Sequence, residues 1–526
     1  MSSVLSQRAS GVLLHPTSLP GAHGCGDLGA EAHAFAQWLA GAGQRFWQML
    51  PAGPVGYGNS PYSALSAFAG NPLLISLDRL VDEGLLPRSA VADPPRFADG
   101  RTDYASARAW REEKLRTAFD AFEKRSSDHP SYDVFCSSNA AWLEDFALYT
   151  AIKRARRERP WTEWEPELRA RDPQALDRAR QALRREIDQQ RFEQFLFARH
   201  WLSLKGHCAT LGIALIGDLP IFVAHDSADV WTHRDLFFLD QQGQPTVIAG
   251  VPPDYFSATG QRWGNPLYRW NDATLRWWLT RFAAMLSMFD VLRLDHFIGF
   301  TRYWEIAASE PTAMNGRWVP GPGAKLFEKL GEAPLIAEDL GAVTPEVTAL
   351  RDRFGFPGIK LLQFAFGTDP QAPTFLPYNY DRNSVAFTGT HDNDTAQGWF
   401  HDRGGPHSTR SRQQIARERE FALRYLGSAR RDGRDIHWDM VRALHASAAD
   451  LVMMPMQDVL GLGSEARMNL PGTCEGNWEW RMKPRAAGKA LANRLRIFAD
   501  TYDRAPPKAE SRTPKAESRS AAEAAL

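Results

Sequence analysis

Four acidic residues in this sequence each follow a short apolar run. They are Asp218 in IGDLP, Asp295 in LRLDH, Glu338 in IAEDL and Asp392 in GTHDN. A single acid after a strand could simply cap the next helix. Four acids at one rim would repel one another, so their retention indicates a chemical task. Two facing carboxyl groups can cleave a glycosidic bond, because one attacks the anomeric carbon while the other protonates the leaving oxygen.

Asp295 and Glu338 fit these two tasks. Arg293 lies two positions before Asp295, on the same face of the predicted strand, and can keep that carboxylate ionised for nucleophilic attack. Glu338 suits the acid/base task, because a carboxyl group near other acids and partly desolvated has a raised pKa. The alternative for Arg293 and Asp295 is a structural ion pair in the core.

Histidines beside two of these acids raise the question of a metal site. A metal-dependent barrel hydrolase is expected to carry an H-x-H on its first strand and further histidines on later strands. Here His15 is alone, and neither IAEDL nor GIKLLQF contains a histidine. We therefore predict no metal, and interpret His296 and His391 as donors to sugar hydroxyls, with core histidines as the alternative.

Eight apolar runs would position these side chains. Buried parallel strands read as continuous apolar runs, and eight of them separated by helices predict an α/β fold, a (β/α)8 TIM barrel with its active site at the C-terminal strand ends. An open doubly wound sheet is the alternative, but its glycine-rich phosphate turn is missing. The runs are GVLLHPTS, FWQMLPAGP, ALIGDLPIF, VLRLDHF, LIAEDLG, GIKLLQFAF, VAFTGTHDND and LVMMPMQDVLG.

Two gaps between these runs are too long for a simple barrel. The gap at about 71–205 predicts a mainly helical subdomain, with one long helix in RARDPQALDRARQALRREIDQQRFEQFLFARHWLSLKG. The gap at about 222–285 predicts a helix and an aromatic-rich ordered loop, residues 249–268, over one barrel mouth. We expect residues 1–504 to form the catalytic barrel with these insertions. The tail 505–526 repeats PKAESR and is expected to be disordered.

The composition restricts the class of partner and the compartment. Lys+Arg and Asp+Glu balance at 62 each, which disfavours nucleic acid. No apolar run has the length of a membrane span or the form of a signal peptide. Four scattered cysteines provide neither a zinc motif nor a disulfide framework, so a reducing cytoplasm is the expected location.

The chain resembles the 4-alpha-glucanotransferases of glycoside hydrolase family 77, the amylomaltases or disproportionating enzymes, within the α-amylase clan. The resemblance extends from about residue 10 to residue 485. Eight long stretches carry it: GVLLHPTSLPG, SPYSALSAFAGNP, GDLPIFVAHDSADVW, AGVPPDYFSATGQRWGNPLY, RLDHFIGF, AEDLG, GTHDND and RMNLPGT.

The resemblance implies roles for individual residues. Asp295 would be the nucleophile, Glu338 the acid/base and Asp392 a third carboxylate that holds sugar hydroxyls. The implied substrate-binding residues are Tyr62, Asp218, Tyr255, Trp263, Arg293, His391 and Asn469. Donors would be maltooligosaccharides and α-1,4-glucans, and acceptors glucose or maltooligosaccharides. No cofactor is implied, and we expect a monomer or weak homodimer.

Two other functions fit the same barrel. An α-glucan hydrolase would use the same carboxylates, and the outcome depends on whether water or a sugar hydroxyl reaches the glycosyl-enzyme. An aromatic lid at 249–268 would exclude water and favour transfer. A non-catalytic glucan-binding protein would be expected to lack one of Asp295, Glu338 or Asp392, and all three are present.

Overall fold

The computed structural model describes residues 4–125, 129–253, 259–405, 410–473 and 475–506. Almost all of the predicted tail, from residue 507 onward, therefore lies outside the described residues. Tyr255, an implied substrate-binding residue, also lies outside them. Within the described ranges, no helix is both long and apolar enough to cross a membrane.

Twelve β-strands form in the described part of the chain. They are β1 (Ala9–Leu13), β2 (Phe46–Gln48), β3 (Ala214–Leu219), β4 (Val247–Val251), β5 (Gln261–Pro266), β6 (Val291–Leu294), β7 (Arg302–Ala307), β8 (Gly316–Pro320), β9 (Leu335–Ala337), β10 (Gly358–Leu361), β11 (Ser384–Phe387) and β12 (Leu451–Pro455).

Eight of these strands close into a barrel in the order β1-β12-β11-β10-β9-β6-β3-β2. All eight pairings are parallel. Each of the eight predicted apolar runs contributes one barrel strand, so the predicted (β/α)8 fold is confirmed. Because the strands are parallel, all their carboxyl ends open at the same mouth.

Seventeen α-helices accompany the strands in the same described ranges. They are α1 (Ala30–Gly41), α2 (Leu77–Asp82), α3 (Tyr104–Glu123), α4 (Pro130–Ala155), α5 (Pro166–Arg169), α6 (Pro173–Ala182), α7 (Arg184–Thr210), α8 (Ala228–Thr232), α9 (Asp272–Met288), α10 (Ile298–Thr301), α11 (Ala324–Leu330), α12 (Pro345–Arg353), α13 (Ala396–His401), α14 (Arg412–Leu426), α15 (Ile436–Ala446), α16 (Met456–Val459) and α17 (Lys489–Thr501).

The long segment between β2 and β3 contains α2 to α7. The single long helix predicted there is instead two helices, α6 and α7. Leu183, between them, has φ −113° and ψ 24°, which are not helical values, and its side chain packs against the main hydrophobic core. Tertiary packing therefore overrides the continuous helical pattern of the sequence.

A second sheet was not predicted. Strands β5, β4, β7 and β8 form an antiparallel sheet in that order, so parts of the predicted 249–268 loop are paired strands. Gly250 permits the pairing of β4 with β5, because a Cβ atom there would lie 2.2 Å from the Gln261 carbonyl oxygen. Several glycines, prolines and polar residues in this segment conceal its strands from a pattern-based prediction.

The barrel interior has an apolar floor below a polar mouth. Inward side chains from successive strands, among them Phe46, Ile216 and Val291, form one buried cluster. Side chains alternate along a strand, so the positions two residues beyond Ile216 and Val291 point inward as well. Those positions are Asp218 and Arg293, which are paired in the β3–β6 register.

Candidate active site

Arg293 is the charged centre of the barrel mouth. Its Nη1 donates to both carboxylate oxygens of Asp218 at 2.8 Å and to Asp295 Oδ1 at 3.0 Å, and its Nη2 lies 4.0 Å from Glu338 Oε2. Arg293 and Asp218 are 5% and 1% exposed. One guanidinium therefore contacts three acids, which relieves the repulsion that their proximity would otherwise cause. The Arg293–Asp295 pair is therefore both a structural ion pair and part of the acidic cluster at the mouth.

Glu338 is held at the end of β9 by backbone groups. The His296 N–H donates to its Oε2 at 2.7 Å, and the Leu340 N–H donates to its Oε1 at 3.2 Å. Burial raises the pKa of Glu338 to about 8, although Arg293 opposes the rise; the negative charge of Asp295 adds to it. A carboxyl group in this environment holds a proton at neutral pH and can donate it.

His296, whose N–H donates to Glu338, has an unusual backbone conformation. It follows Asp295 and has φ 51°, in the left-handed region that non-glycine residues rarely adopt. The imidazole is buried, which lowers its pKa to about 4, so the ring is neutral at pH 7.

Tyr62 connects the acids to an aromatic wall. Its hydroxyl donates to Asp218 Oδ2 at 2.8 Å. The Tyr62 ring stacks on the His391 ring with a centroid distance of 5.2 Å and an interplanar angle of 22°. Asp218 thus holds Tyr62 and Arg293 in place from a buried position, with its oxygens occupied by these two donors.

Asp392 stands at the exposed side of the mouth, with 48% of its side chain accessible. The Asn469 amide donates to its Oδ1 at 2.6 Å, and the His391 Nε2 lies 3.5 Å from the same oxygen. Arg467 Nη2 donates to the Asp392 backbone carbonyl at 2.5 Å. Asn469 and Arg467 both belong to the segment after β12, which therefore positions Asp392.

Trp263, on β5, contacts the residue that follows Asp295. Its ring meets the His296 ring edge to face with a centroid distance of 5.0 Å, and the residue is 38% exposed. Of the ten predicted site residues, nine are described, and all nine lie in the connected set of contacts around the mouth. In the described ranges, no group of three or more His, Cys, Asp or Glu side chains could hold a metal ion.

The geometry agrees with comparisons to known proteins. The family profile described as 4-alpha-glucanotransferase, glycoside hydrolase family 77, matches residues 14–487. The 4-alpha-glucanotransferase of Thermus thermophilus is 48% identical over 511 residues, which cover 94% of this chain and 99% of the relative. This chain belongs to the 4-alpha-glucanotransferase family.

Two further comparisons agree with this assignment. The 4-alpha-glucanotransferase of Synechocystis sp. is 47% identical over 515 residues, covering 95% of this chain and 99% of the relative. The solved amylomaltase from Streptococcus agalactiae in complex with acarbose has a TM-score of 0.90 and 37% identity, covering 95% of this chain and all of that chain.

The protein is accordingly an enzyme that transfers α-glucan segments, and its family acts on maltooligosaccharides and related α-glucans. The prediction of a 4-alpha-glucanotransferase is confirmed. Neither the glucan hydrolase nor the non-catalytic binding protein is supported by these relatives.

Sequence reasoning missed three residues of this glucanotransferase site. Trp478 contacts both Tyr62 and His391, Arg467 contacts the Asp392 backbone, and His15 is buried close to His391. Burial lowers the pKa of His15 to about 3, so it is neutral. The RMNLPGT stretch marks the segment that contains Arg467. No local pattern shows that Trp478, a few residues later, faces the site.

Proposed function

We propose that this enzyme transfers glucan segments by a retaining double displacement. The observation that carries the proposal is the shared Arg293 guanidinium, which contacts the partly exposed Asp295 directly and the buried Glu338 more distantly. Two carboxyl groups in such different surroundings take different roles: the Asp295 carboxylate is the nucleophile and the Glu338 carboxylic acid is the proton donor.

The first step forms a glycosyl-enzyme. An Asp295 carboxylate oxygen attacks the anomeric carbon, the glycosidic C–O bond breaks, and Glu338 gives its proton to the departing sugar oxygen. In the second step the Glu338 carboxylate removes the proton from an acceptor 4-hydroxyl, whose oxygen attacks the same carbon and releases Asp295. Two inversions at one carbon retain the α configuration.

The other residues of the mouth orient the sugar. We assign the Tyr62 ring to stacking against the apolar face of the sugar, and Asp392 and His391 to its hydroxyl groups. The Asn469 amide fixes the orientation of the Asp392 carboxylate. Arg293 stabilises the negative charge on Asp295 that returns when the glycosyl-enzyme breaks down.

The pH dependence of kcat/KM should show the acid role of Glu338. Its pKa is raised to about 8 and its protonated form is the active one, so kcat/KM falls as pH rises above about 8, by about tenfold per pH unit. We would measure initial transfer rates on maltotriose between pH 5 and 10. If the fall in kcat/KM above about pH 8 is unchanged in Glu338→Gln, the titrating group is not Glu338.

Removal of the Trp263 ring should increase hydrolysis relative to transfer. The ring covers His296 at the mouth, and its loss opens the glycosyl-enzyme to water. We expect Trp263→Ala to raise the ratio of new reducing ends to transfer products several-fold. Trp318→Ala, in β8 of the same sheet, is the matched control and should leave the ratio unchanged. An unchanged ratio in Trp263→Ala would contradict the lid role.

The transfer reaction itself is tested with maltotriose, without phosphate, metal or nucleotide. Glucose together with maltopentaose and longer chains is the expected product pattern, with glucose or maltooligosaccharides as acceptors. Maltose and glucose alone would identify water as the acceptor and overturn the transfer step.

Three organisational features also belong to this proposal. Residues 1–504 would act as one catalytic unit with insertions at about 71–205 and 222–285, and a monomer or weak homodimer is expected on size-exclusion chromatography.

We place the enzyme in the cytoplasm, because the three described cysteines, Cys25, Cys136 and Cys208, are free thiols.

A further inference from the structure

Trp478 has a backbone conformation that its side chain does not favour. Its φ is 65°, in the left-handed region, and the residue is 6% exposed. Bulky side chains are rare in this region, and such residues persist only where the surrounding structure holds them. Eight described residues other than glycine have a positive φ, and two of them, Trp478 and His296, contact residues of the active site.

The Trp478 ring packs against Tyr62 and His391, the two stacked rings of the aromatic wall. Its centroid lies 5.8 Å from that of Tyr62 and 5.8 Å from that of His391, while Tyr62 and His391 stack at 5.2 Å. The three rings therefore form a closed triangle. The ring planes of Trp478 are tilted by 45° to Tyr62 and 40° to His391, so the indole limits how far either ring can rotate.

Backbone contacts from two parts of the chain hold Trp478. Its N–H donates to the Met468 carbonyl at 2.7 Å, which closes the segment that carries Asn469. The Tyr104 hydroxyl, at the start of α3, donates to the Trp478 carbonyl at 2.8 Å. Next to it, the Thr102 N–H donates to the Glu479 carbonyl at 2.7 Å. The segment between β2 and β3 thus fixes the tryptophan from outside the barrel.

We propose that Trp478 is a positioning residue, which sets the orientation of Tyr62 and His391 and hence of the sugar ring over Asp295. The inference rests on the proposed roles of Tyr62 and His391 in the double displacement. Because Trp478 is buried, it acts through these two rings. Small errors in the placement of a reacting sugar lower kcat strongly, so the strained backbone is retained for catalysis.

Three variants of Trp478 separate positioning from folding. Trp478→Ala removes the ring and keeps the unfavourable φ, Trp478→Gly removes the ring and relieves the φ, and Trp478→Phe keeps an aromatic ring. Transfer from maltotriose is measured well below each melting temperature. We expect kcat to fall about 10- to 100-fold in both Ala and Gly variants, with KM changed less than about threefold, and Phe to restore most of kcat.

Melting temperatures distinguish the two interpretations. Trp478→Gly should melt above Trp478→Ala and still be equally slow, because stability recovers without the ring. Activity that follows the melting temperature, or kcat within about twofold of wild type in the Gly variant, would overturn the proposal.

A variant of Tyr104 covers the case in which neither Trp478→Ala nor Trp478→Gly folds. Tyr104→Phe removes only the hydroxyl that binds the Trp478 carbonyl, and should lower kcat about three- to tenfold with KM unchanged. An unchanged kcat there would reject the proposal. Failure of the double displacement itself would be seen separately, as an active Asp295→Asn enzyme with intact Trp478.

Discussion

Replacement of Asp295 by asparagine should lower kcat for transfer by a factor of about 10⁴ or more, as expected for loss of a covalent nucleophile. The asparagine amide has nearly the shape of the carboxylate and can still accept the hydrogen bond from Arg293. It cannot form the glycosyl-enzyme ester, so the first step stops. Chromatography of the products from maltotriose over time measures the loss.

Asp290→Asn is the matched control for this experiment. Asp290 precedes β6 and lies at the opposite end of the strand from Asp295, where its Oδ2 accepts from the Leu215 N–H at 2.8 Å. The same chemical change there should leave kcat within about twofold of wild type, because asparagine still accepts that bond. Comparable activity in the two variants would remove Asp295 from the nucleophile role.

Replacement of Glu338 by glutamine should lower kcat on maltotriose by about 10²- to 10⁴-fold, which is the usual contribution of a general acid. The loss should be far smaller for formation of the glycosyl-enzyme from α-maltosyl fluoride, because fluoride leaves without a proton. Added azide needs no base to attack, so it should restore turnover and yield the α-glycosyl azide.

Two controls make the Glu338 result interpretable. In the wild type both Glu338 oxygens accept a backbone N–H, whereas the glutamine NH2 group cannot accept and would face one of these donors. A moderate fall in melting temperature is therefore expected and must be measured. Glu305→Gln, in β7 of the second sheet, makes the same change away from the mouth. Equal losses on maltotriose and on the fluoride, without azide rescue, would mean that Glu338 is not the acid/base.

The barrel and its acids were predictable because two simple sequence patterns specify them. Apolar runs of strand length mark the eight strands. Side chains two residues apart point the same way, so Asp218 points inward like Ile216, and Arg293 like Val291. The acids then meet because parallel strands end at one mouth. This part of the active site follows from local sequence and the geometry of the fold.

The second sheet and the aromatic triangle depend on contacts between distant segments. The β4 strand pairs with β7, which begins about 55 residues later, and the β4 sequence lacks clear alternation. Trp478 approaches Tyr62 from more than 400 residues along the chain, in a conformation that its residue type does not favour. No local signal shows such a position, because the surrounding tertiary structure determines it.

The central claim is tested most directly by mass spectrometry of the Glu338→Gln enzyme after brief exposure to α-maltosyl fluoride. Without its base, this variant should accumulate the glycosyl-enzyme. We predict one maltosyl unit per protein, located by peptide digestion on Asp295 in VLRLDHFIGF. A maltosyl unit on Asp392, or fluoride release and product formation with no protein adduct, would contradict the double displacement through Asp295.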